Sequence, residues 1–185
     1  MTWEEIEELD KKAPPGAFST FDAQVLIPEV EKLTAGEIYM EIGVDKGKSL
    51  FIARSVIKPD INMYAVDINF TDELKTYLLE NPLLGEFFWM SSKTVAQVWR
   101  QRGMPKIYVL FIDGDHSYEG CKTDIDSWYP HMAENGVMLF HDCDESSPGV
   151  MQAVAEFVIT QKNKIKKFEL FKRTDKNTSM AKIQL

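Results

Sequence analysis

Residues 37–49 read EIYMEIGVDKGKS, a short apolar stretch that runs straight into a loop with two glycines. The apolar stretch predicts a buried strand from Glu37 to Ile42. Behind the loop, residues 48–58 predict a helix that ends before Pro59, because proline cannot continue a helix. Glycine lets the chain turn tightly between strand and helix and approach a ligand at the helix N-terminus. This segment predicts the first strand–loop–helix unit of an α/β fold.

The same alternation of apolar runs and helical patterns continues along the chain. Further strands are predicted over Asn62 to Val66, Glu86 to Met90, Ile107 to Ile112 and Gly136 to Phe140. Further helices are predicted over Asp72 to Leu79, Lys93 to Gln101, Tyr118 to Trp128 and Ser147 to Thr160. This alternation predicts a doubly wound, mostly parallel α/β sheet with helices on both faces. The tail then predicts an antiparallel hairpin at one sheet edge, with strands over Lys166 to Lys172 and Ser179 to Leu185 and a turn at residues 173–177.

Residues 1–36 predict a helical segment that packs on the rest of the chain or forms a lid over it. Thr2, followed three residues later by Glu5, has the form of a capping box and predicts a short first helix. A second helix is predicted from about Ser19, with Pro28 interrupting or restarting it.

Composition disfavours several classes of function. The chain has 185 residues, enough for one sizeable core, and its net charge of −8 disfavours binding to nucleic acid or to an anionic membrane. Cys121 and Cys143 are too few for a disulfide framework and lack metal-ligand spacing, which suits a reducing cytoplasm. Neither a signal peptide pattern nor an apolar stretch of about 18 residues is found. We therefore expect a cytoplasmic protein with a small-molecule substrate.

Polar residues gather beyond the carboxyl ends of the predicted strands, where open α/β sheets bind their ligands. Asp67 ends the second strand, Asp113 follows the fourth, and His141 and Asp142 follow the fifth. Asp67 lies about 20 residues after the glycine loop, where a carboxylate can accept both ribose hydroxyls of a nucleoside. The loop lacks the GxGxxG spacing of dinucleotide-binding proteins, which disfavours NAD. Loop and Asp67 together indicate an adenosine-type ligand.

Four stretches carry a more specific resemblance: EIGVDKGKS at 41–49, AVD at 65–67, FIDGDHSYE at 111–119 and FHD at 140–142. They resemble the successive motifs of class I S-adenosylmethionine-dependent methyltransferases. They are most similar to the bacterial branch related to catechol, caffeoyl-CoA and macrocin-type O-methyltransferases. The resemblance covers residues 37–185, which we take as the methyltransferase domain. It implies a seven-stranded Rossmann-like sheet of order 3-2-1-4-5-7-6 with strand 7 antiparallel.

The resemblance also implies roles for individual residues. Glu41 and Gly43 would line the methionine side of S-adenosylmethionine, Ser49 would hold its carboxylate end and Asp67 its ribose. Two serines after the third strand would lie near the adenine. The full set of implied cofactor-binding residues is Glu41, Gly43, Asp45, Gly47, Ser49, Asp67, Ser91, Ser92 and Asp113.

The resemblance also implies a site for a divalent cation. In the metal-dependent branch, the residue that matches Asp113 binds the metal with an Asp-Asn pair, where this chain has His141 and Asp142. These three residues are the candidate ligands of Mg²⁺ or Mn²⁺, and the imidazole suits Mn²⁺ better. Successive residues of a strand point to opposite faces, so His141 and Asp142 can bind together only where the strand has curled into a loop. For that reason we rank Asp113 and Asp142 above His141.

Proton transfer has its own candidates. His116 is the candidate general base, because it falls at a strand end on the predicted catalytic edge, and Asp113 is its catalytic neighbour. In the alternative without a metal, Asp113 holds the ammonium group of the cofactor and Asp142 caps a turn. Tyr118 stays open as a further site residue.

We expect methyl transfer to a small-molecule acceptor, at oxygen. Two other functions fit the same architecture: a noncatalytic nucleoside-binding module and a nicotinamide-dependent oxidoreductase, the latter disfavoured by the glycine spacing. The short N-terminal region and the tight terminal hairpin predict an acceptor site that is open, or one that is completed by the second subunit of a homodimer.

Overall fold

The computed structural model describes residues 1–173 and 178–185. Within these residues seven strands form one sheet: β1 (Ile38–Ile42), β2 (Asn62–Asp67), β3 (Phe87–Trp89), β4 (Ile107–Ile112), β5 (Met132–His141), β6 (Lys167–Arg173) and β7 (Thr178–Gln184). The helices are α1 (Trp3–Asp10), α2 (Thr20–Glu31), α3 (Lys48–Val56), α4 (Asp72–Glu80), α5 (Ser92–Gln101), α6 (Tyr118–Trp128) and α7 (Pro148–Thr160), with a 3₁₀ turn at Tyr129–His131.

The strand order is β3-β2-β1-β4-β5-β7-β6, which confirms the predicted topology. Strands β1 to β5 pair in parallel, whereas β7 runs antiparallel to both β5 and β6. The order reverses between β1 and β4, so the crevice for a ligand opens above the carboxyl ends of these two strands. The predicted hairpin forms, and its turn falls mostly on residues outside the described range.

Two hydrophobic cores sandwich the sheet, because successive strand residues face opposite sides. On one side Ile38, Met40 and Ile42 pack with α5, α6 and α7 around the buried Trp99 and Trp128. The other core contains side chains from α1, α2, α3 and α4 together with the opposite strand face. Both faces of β1 are therefore buried, as the continuous apolar run predicts.

Helix α2 runs through Pro28 without a break, so the expectation of an interruption there was wrong. Proline removes the bond that its nitrogen would make to the carbonyl of Gln24. Both Gln24 and Pro28 lie on the exposed side of the helix, where water can donate a hydrogen bond to the free carbonyl of Gln24. The opposite side of α2 packs against α3, β5 and β7, which brings this N-terminal helix to the sheet.

The capping box of α1 forms as predicted: the hydroxyl of Thr2 accepts from the backbone N–H of Glu5, whose carboxylate accepts from the N–H of Thr2. Ser147 occupies the N-cap of α7, but its side chain makes no capping bond. In the described part of the chain, every helix is too short or too polar to cross a membrane.

Candidate active site

The loop after β1 brings the backbone of β1 and β4 into direct contact. Gly43 has a φ of +82°, and a Cβ atom at this position would lie 2.0 Å from the carbonyl oxygen of Asp113. The N–H of Asp113 donates to the carbonyl of Ile42 at 2.8 Å, and the N–H of Gly43 donates to the carbonyl of Val66 at 2.9 Å. Only glycine fits both the backbone conformation and the space. The loop is thus tied to the ends of β2 and β4.

Asp67 holds the same loop from the side of β2. Its Oδ2 accepts from the backbone N–H groups of Val44 and Asp45 at 2.7 and 2.9 Å, and its Oδ1 accepts from the N–H of Asn69 at 2.7 Å. Asp45 takes a positive φ of 49°, which the bond to Asp67 helps to fix. Each carboxylate oxygen can accept more than one hydrogen bond, so Asp67 keeps capacity for a ligand.

A cavity of about 660 Å³ opens above the loop, between the ends of β1, β2 and β4. Asp67, Ser91, Ser92 and Asp113 line this larger cavity, together with apolar surface from Ile68 and Met90. The hydroxyl of Ser91 caps α5 by accepting from the N–H of Thr94, and that of Ser92 accepts from the indole N–H of Trp128 at 2.7 Å. The two serines predicted near adenine therefore lie where β3 ends, on the cavity wall.

A second cavity of about 230 Å³ lies on the other side of Asp113. Its wall includes Gly43, Asp45, Asp113 and Gly114, which also line the larger cavity, so the two cavities meet at the loop and at β4. Ser49 and the segment before α2, at residues 16–18, complete the smaller cavity. A ligand in the larger cavity would thus present one end to the smaller one.

Two histidines and two aspartates crowd together in the smaller cavity. The Nδ1 atom of His141 lies 3.2 Å from Asp113 Oδ1 and 3.2 Å from Asp142 Oδ2. The Nε2 atom of His116 lies 3.4 Å from Asp113 Oδ1 and 3.6 Å from Asp142 Oδ2. One donor atom each from Asp113, His141 and Asp142 falls within a span of 4.8 Å, close enough to meet one cation. We call these four residues the His–Asp cluster.

Asp142 can face Asp113 because the backbone leaves the strand at this residue. Asp142 has a φ of 52°, in the left-handed region, directly after β5 ends at His141. This reversal of the backbone turns the side chains of His141 and Asp142 to the same side. Two successive residues of a regular strand would face opposite sides and could not bind one cation together.

The His–Asp cluster balances its own charges. Burial alone would lower the pKa of His141, but its contacts with Asp113, Asp142 and Asp22 raise it to about 12. The contact with Asp113 also raises the pKa of His116 above its usual value. Burial would raise the pKa of Asp113, yet the two imidazoles hold it below its usual value. The positively charged imidazole of His141 therefore compensates the negative charges of Asp113 and Asp142.

Glu41 lies in the buried layer next to the loop. Its Oε2 accepts from the hydroxyl of Tyr39 and its Oε1 from that of Ser49, both at 2.6 Å, and its side chain is fully buried. Burial raises the pKa of Glu41 to about 8, although both hydrogen bonds favour the charged form. The hydroxyl of Ser49 is thus engaged by Glu41 at the edge of the smaller cavity.

A family of proteins described as a methyltransferase domain matches residues 40–143 of this chain. This chain belongs to that family. The matched region runs from β1 to the residue after Asp142, so it includes the glycine loop, Asp67 and the whole His–Asp cluster. A comparison with curated protein sequences gives no significant match.

Solved structures share the fold of this methyltransferase. An O-methyltransferase from Bacillus cereus in complex with SAH matches with a TM-score of 0.75 and 11% identity, over 99% of this chain and 90% of that chain. The MycE methyltransferase of the mycinamycin biosynthetic pathway, in complex with Mg and SAH, matches with a TM-score of 0.68 and 14% identity. That match covers 98% of this chain and 53% of the MycE chain. An rRNA methylase from Streptococcus thermophilus matches with a TM-score of 0.67 and 12% identity, over 93% of this chain and 98% of that chain. The family match confirms the predicted methyltransferase, and the shared fold agrees with the predicted seven-stranded Rossmann-like sheet.

The predicted site residues separate into two groups in the methyltransferase. The structure places Asp67, Ser91 and Ser92 around the larger cavity and the His–Asp cluster with Ser49 around the smaller one. Gly47 caps α3 with a φ of +92° and Glu41 is buried, so both support the loop from within. The contacts of individual residues with cofactor or metal stay predictions.

Sequence reasoning missed Asp22. This residue of α2 is fully buried, and its Oδ2 lies 3.2 Å from Nε2 of His141. A signal was present, because Asp22 precedes Val25 and Leu26 by three and four residues and so shares their apolar helix face. A carboxylate on such a face needs a partner, and here the partner is His141.

The contact of Gly43 with Asp113 gives a first prediction. Gly43→Ala should destabilise the fold by about 2–5 kcal/mol, the sum of a left-handed backbone penalty of about 1–2 kcal/mol and a steric clash of about 1–3 kcal/mol. Urea unfolding measures this loss. Gly36→Ala is the matched control, because Gly36 has a φ of +87° with no atom within 4 Å of the added methyl group. Equal losses for the two variants would contradict the close approach at Gly43.

The buried carboxyl of Glu41 gives a second prediction. Between about pH 5 and 8 the folded protein keeps a proton on Glu41 that the unfolded chain releases, so this group's stabilising contribution falls as pH rises. Glu41→Gln removes the titration. The variant should therefore gain stability relative to the wild type as pH rises, by up to about 1.4 kcal/mol per pH unit. Urea unfolding from pH 5 to 8 checks this. Glu31→Gln, at an exposed position, is the control. The prediction is refuted if the difference in unfolding free energy between Glu41→Gln and the wild type stays constant with pH.

Proposed function

We propose that this methyltransferase moves the methyl group of S-adenosylmethionine to a hydroxyl oxygen of a small-molecule acceptor, with a divalent cation held by Asp113, His141 and Asp142. The observation that carries the proposal is the meeting of two cavities at Asp113. One has the glycine loop and Asp67 in its wall, and the other has the His–Asp cluster. Donor and acceptor can then approach each other along a short path, which is the main task of the protein in such a transfer.

The larger cavity suits the nucleoside part of the methyl donor. Its volume of about 660 Å³ lies in the range of small-molecule sites. Asp67 offers carboxylate oxygens at the end of β2, and Ile68 with Met90 offers apolar surface for a base. Gly43 and Asp113 line both cavities, so the methionine part can reach the smaller cavity past them.

His116 suits the role of general base. In the reaction the bond from sulfur to the methyl carbon breaks, a bond from the acceptor oxygen to that carbon forms, and the hydroxyl proton must leave. The side chain of His116 is 44% exposed at the smaller cavity, and Asp113 raises its pKa, so the ring can accept this proton and hold it beside a carboxylate.

The residues of the His–Asp cluster fit a divalent cation. Both ring nitrogens of His141 are buried and lack an aligned hydrogen bond among the described residues, and Nδ1 faces two carboxylates. A set of one nitrogen and two oxygens suits Mn²⁺, Fe²⁺ or Zn²⁺ better than Mg²⁺. A bound cation supplies Lewis acidity that lowers the pKa of an acceptor hydroxyl.

Charge favours a small molecule over RNA as the acceptor. The structural matches include both an O-methyltransferase and an rRNA methylase. A net charge of −8 repels a phosphate backbone. The O-methyltransferase and MycE matches support the small-molecule alternative.

The role of Asp67 can be tested by ligand binding. Asp67→Asn keeps the shape of the side chain and removes its charge, so the affinity for S-adenosylhomocysteine should fall by about 1.5–3 kcal/mol, the scale for a charged hydrogen bond. Isothermal titration calorimetry measures the change. Asp60→Asn, an exposed position before β2, is the matched control. Unchanged affinity of Asp67→Asn would remove this residue from the ribose site.

The reaction itself can be tested with the purified chain and S-adenosylmethionine. Release of S-adenosylhomocysteine is followed with catechols, hydroxylated sugars and, separately, ribosomal RNA as acceptors. We expect turnover with a hydroxylated small molecule, its loss after exhaustive treatment with EDTA, and stronger recovery with Mn²⁺ than with Mg²⁺. Turnover with RNA alone would overturn the acceptor class. Turnover that survives chelation would overturn the role of the cation and leave methyl transfer in place.

A further inference from the structure

Helix α2 presents a buried carboxylate to the back of the His–Asp cluster. Asp22 is fully buried, and its Oδ2 accepts from the backbone N–H and the hydroxyl of Ser19, both at 2.7 Å. The same oxygen lies 3.2 Å from Nε2 of His141. Its other oxygen, Oδ1, has no hydrogen-bond partner among the described residues.

His141 stands between this carboxylate and the cluster. Its Nε2 faces Asp22, while its Nδ1 faces Asp113 and Asp142 at 3.2 Å each. Phe18, from the segment before α2, stacks on the imidazole with ring centroids 5.9 Å apart and an angle of 28° between the planes. The N-terminal segment therefore fixes the ring both by packing and by charge.

We propose that Asp22 is a positioning residue that holds the proton of His141 on Nε2 and so turns the lone pair of Nδ1 toward Asp113 and Asp142. The inference rests on the proposed cation site. A neutral imidazole carries one N–H, and the hydrogen bond of that N–H decides which nitrogen is free to bind a metal. Asp22 stands at Nε2, and the other two carboxylates stand at Nδ1.

Helix capping alone does not account for Asp22. Glu5 holds the equivalent third position of the capping box in α1, and it is exposed to solvent. Burying a carboxylate costs free energy unless a charge or hydrogen-bond donor compensates it. The bonds from Ser19 orient Asp22 before any cation binds, and Nε2 of His141 faces Asp22 at 3.2 Å as its charge partner on the buried side.

Cation affinity tests this role without recourse to turnover. Asp22→Asn keeps the size of the side chain and loses its charge, and we expect Mn²⁺ to bind about 10–100-fold more weakly, the usual effect of removing such a partner. Titration followed by electron paramagnetic resonance of free Mn²⁺ gives the affinity, and the visible spectrum of the Co²⁺-loaded protein should change as well. Glu5→Gln is the matched capping control and should bind like the wild type.

The outcomes separate the two proposals. Equal Mn²⁺ affinity for wild type and Asp22→Asn would overturn the role of Asp22 and leave the cation site in place. A wild-type chain that binds no divalent cation would overturn both, while methyl transfer stays testable by release of S-adenosylhomocysteine.

A measurement on the wild type covers the case in which Asp22→Asn fails to fold. Long-range ¹⁵N–¹H spectra of the Zn²⁺-loaded protein distinguish the two ring nitrogens of His141. We expect the metal on Nδ1 and a retained, hydrogen-bonded proton on Nε2. A metal on Nε2, or a ring that stays protonated on both nitrogens with Zn²⁺ bound elsewhere, would overturn the proposal.

Discussion

The contact between Gly43 and the carbonyl of Asp113 is the constraint on which the site depends. It joins the loop after β1 to the end of β4, at the point where strand order reverses. Both cavities share this wall, so the distance between a bound donor and the His–Asp cluster is set by backbone contact rather than by flexible side chains. A side chain at residue 43 would separate the two strands and with them the two halves of the site.

Charge compensation is the second constraint, and it acts through His141. Three carboxylates, from Asp22, Asp113 and Asp142, surround one buried imidazole. Carboxylates brought together in a buried site repel each other and lose hydration, so positive charge must stand between them. In the chain alone the imidazolium supplies it, and a cation at Nδ1 would supply it instead. The same arrangement thus holds the N-terminal helix on the sheet and would leave a place for the proposed cation.

The fold was predictable because its signals are local. The glycine loop, the alternation of strands and helices, and the polar strand ends are each read from a few consecutive residues, and the strand order followed from the resemblance. Pro28 was misjudged because the cost of a helix proline depends on whether water reaches the carbonyl of Gln24. Asp22 was missed because its partner, His141, lies 119 positions further along the chain. Spacing within one helix shows that a carboxylate is on an apolar face, but only tertiary packing shows what faces it.

The acidity of the larger cavity suits the proposed methyl donor. Six carboxylates line it, against one lysine: Asp45, Asp67, Asp113, Asp115, Glu119 and Asp124 with Lys93. S-adenosylmethionine carries a positive sulfonium, and its product lacks that charge. A field of negative potential therefore favours the methyl donor over the demethylated product. If the proposed donor binds in this cavity, its acidity would also support exchange of product for a new donor after each turnover.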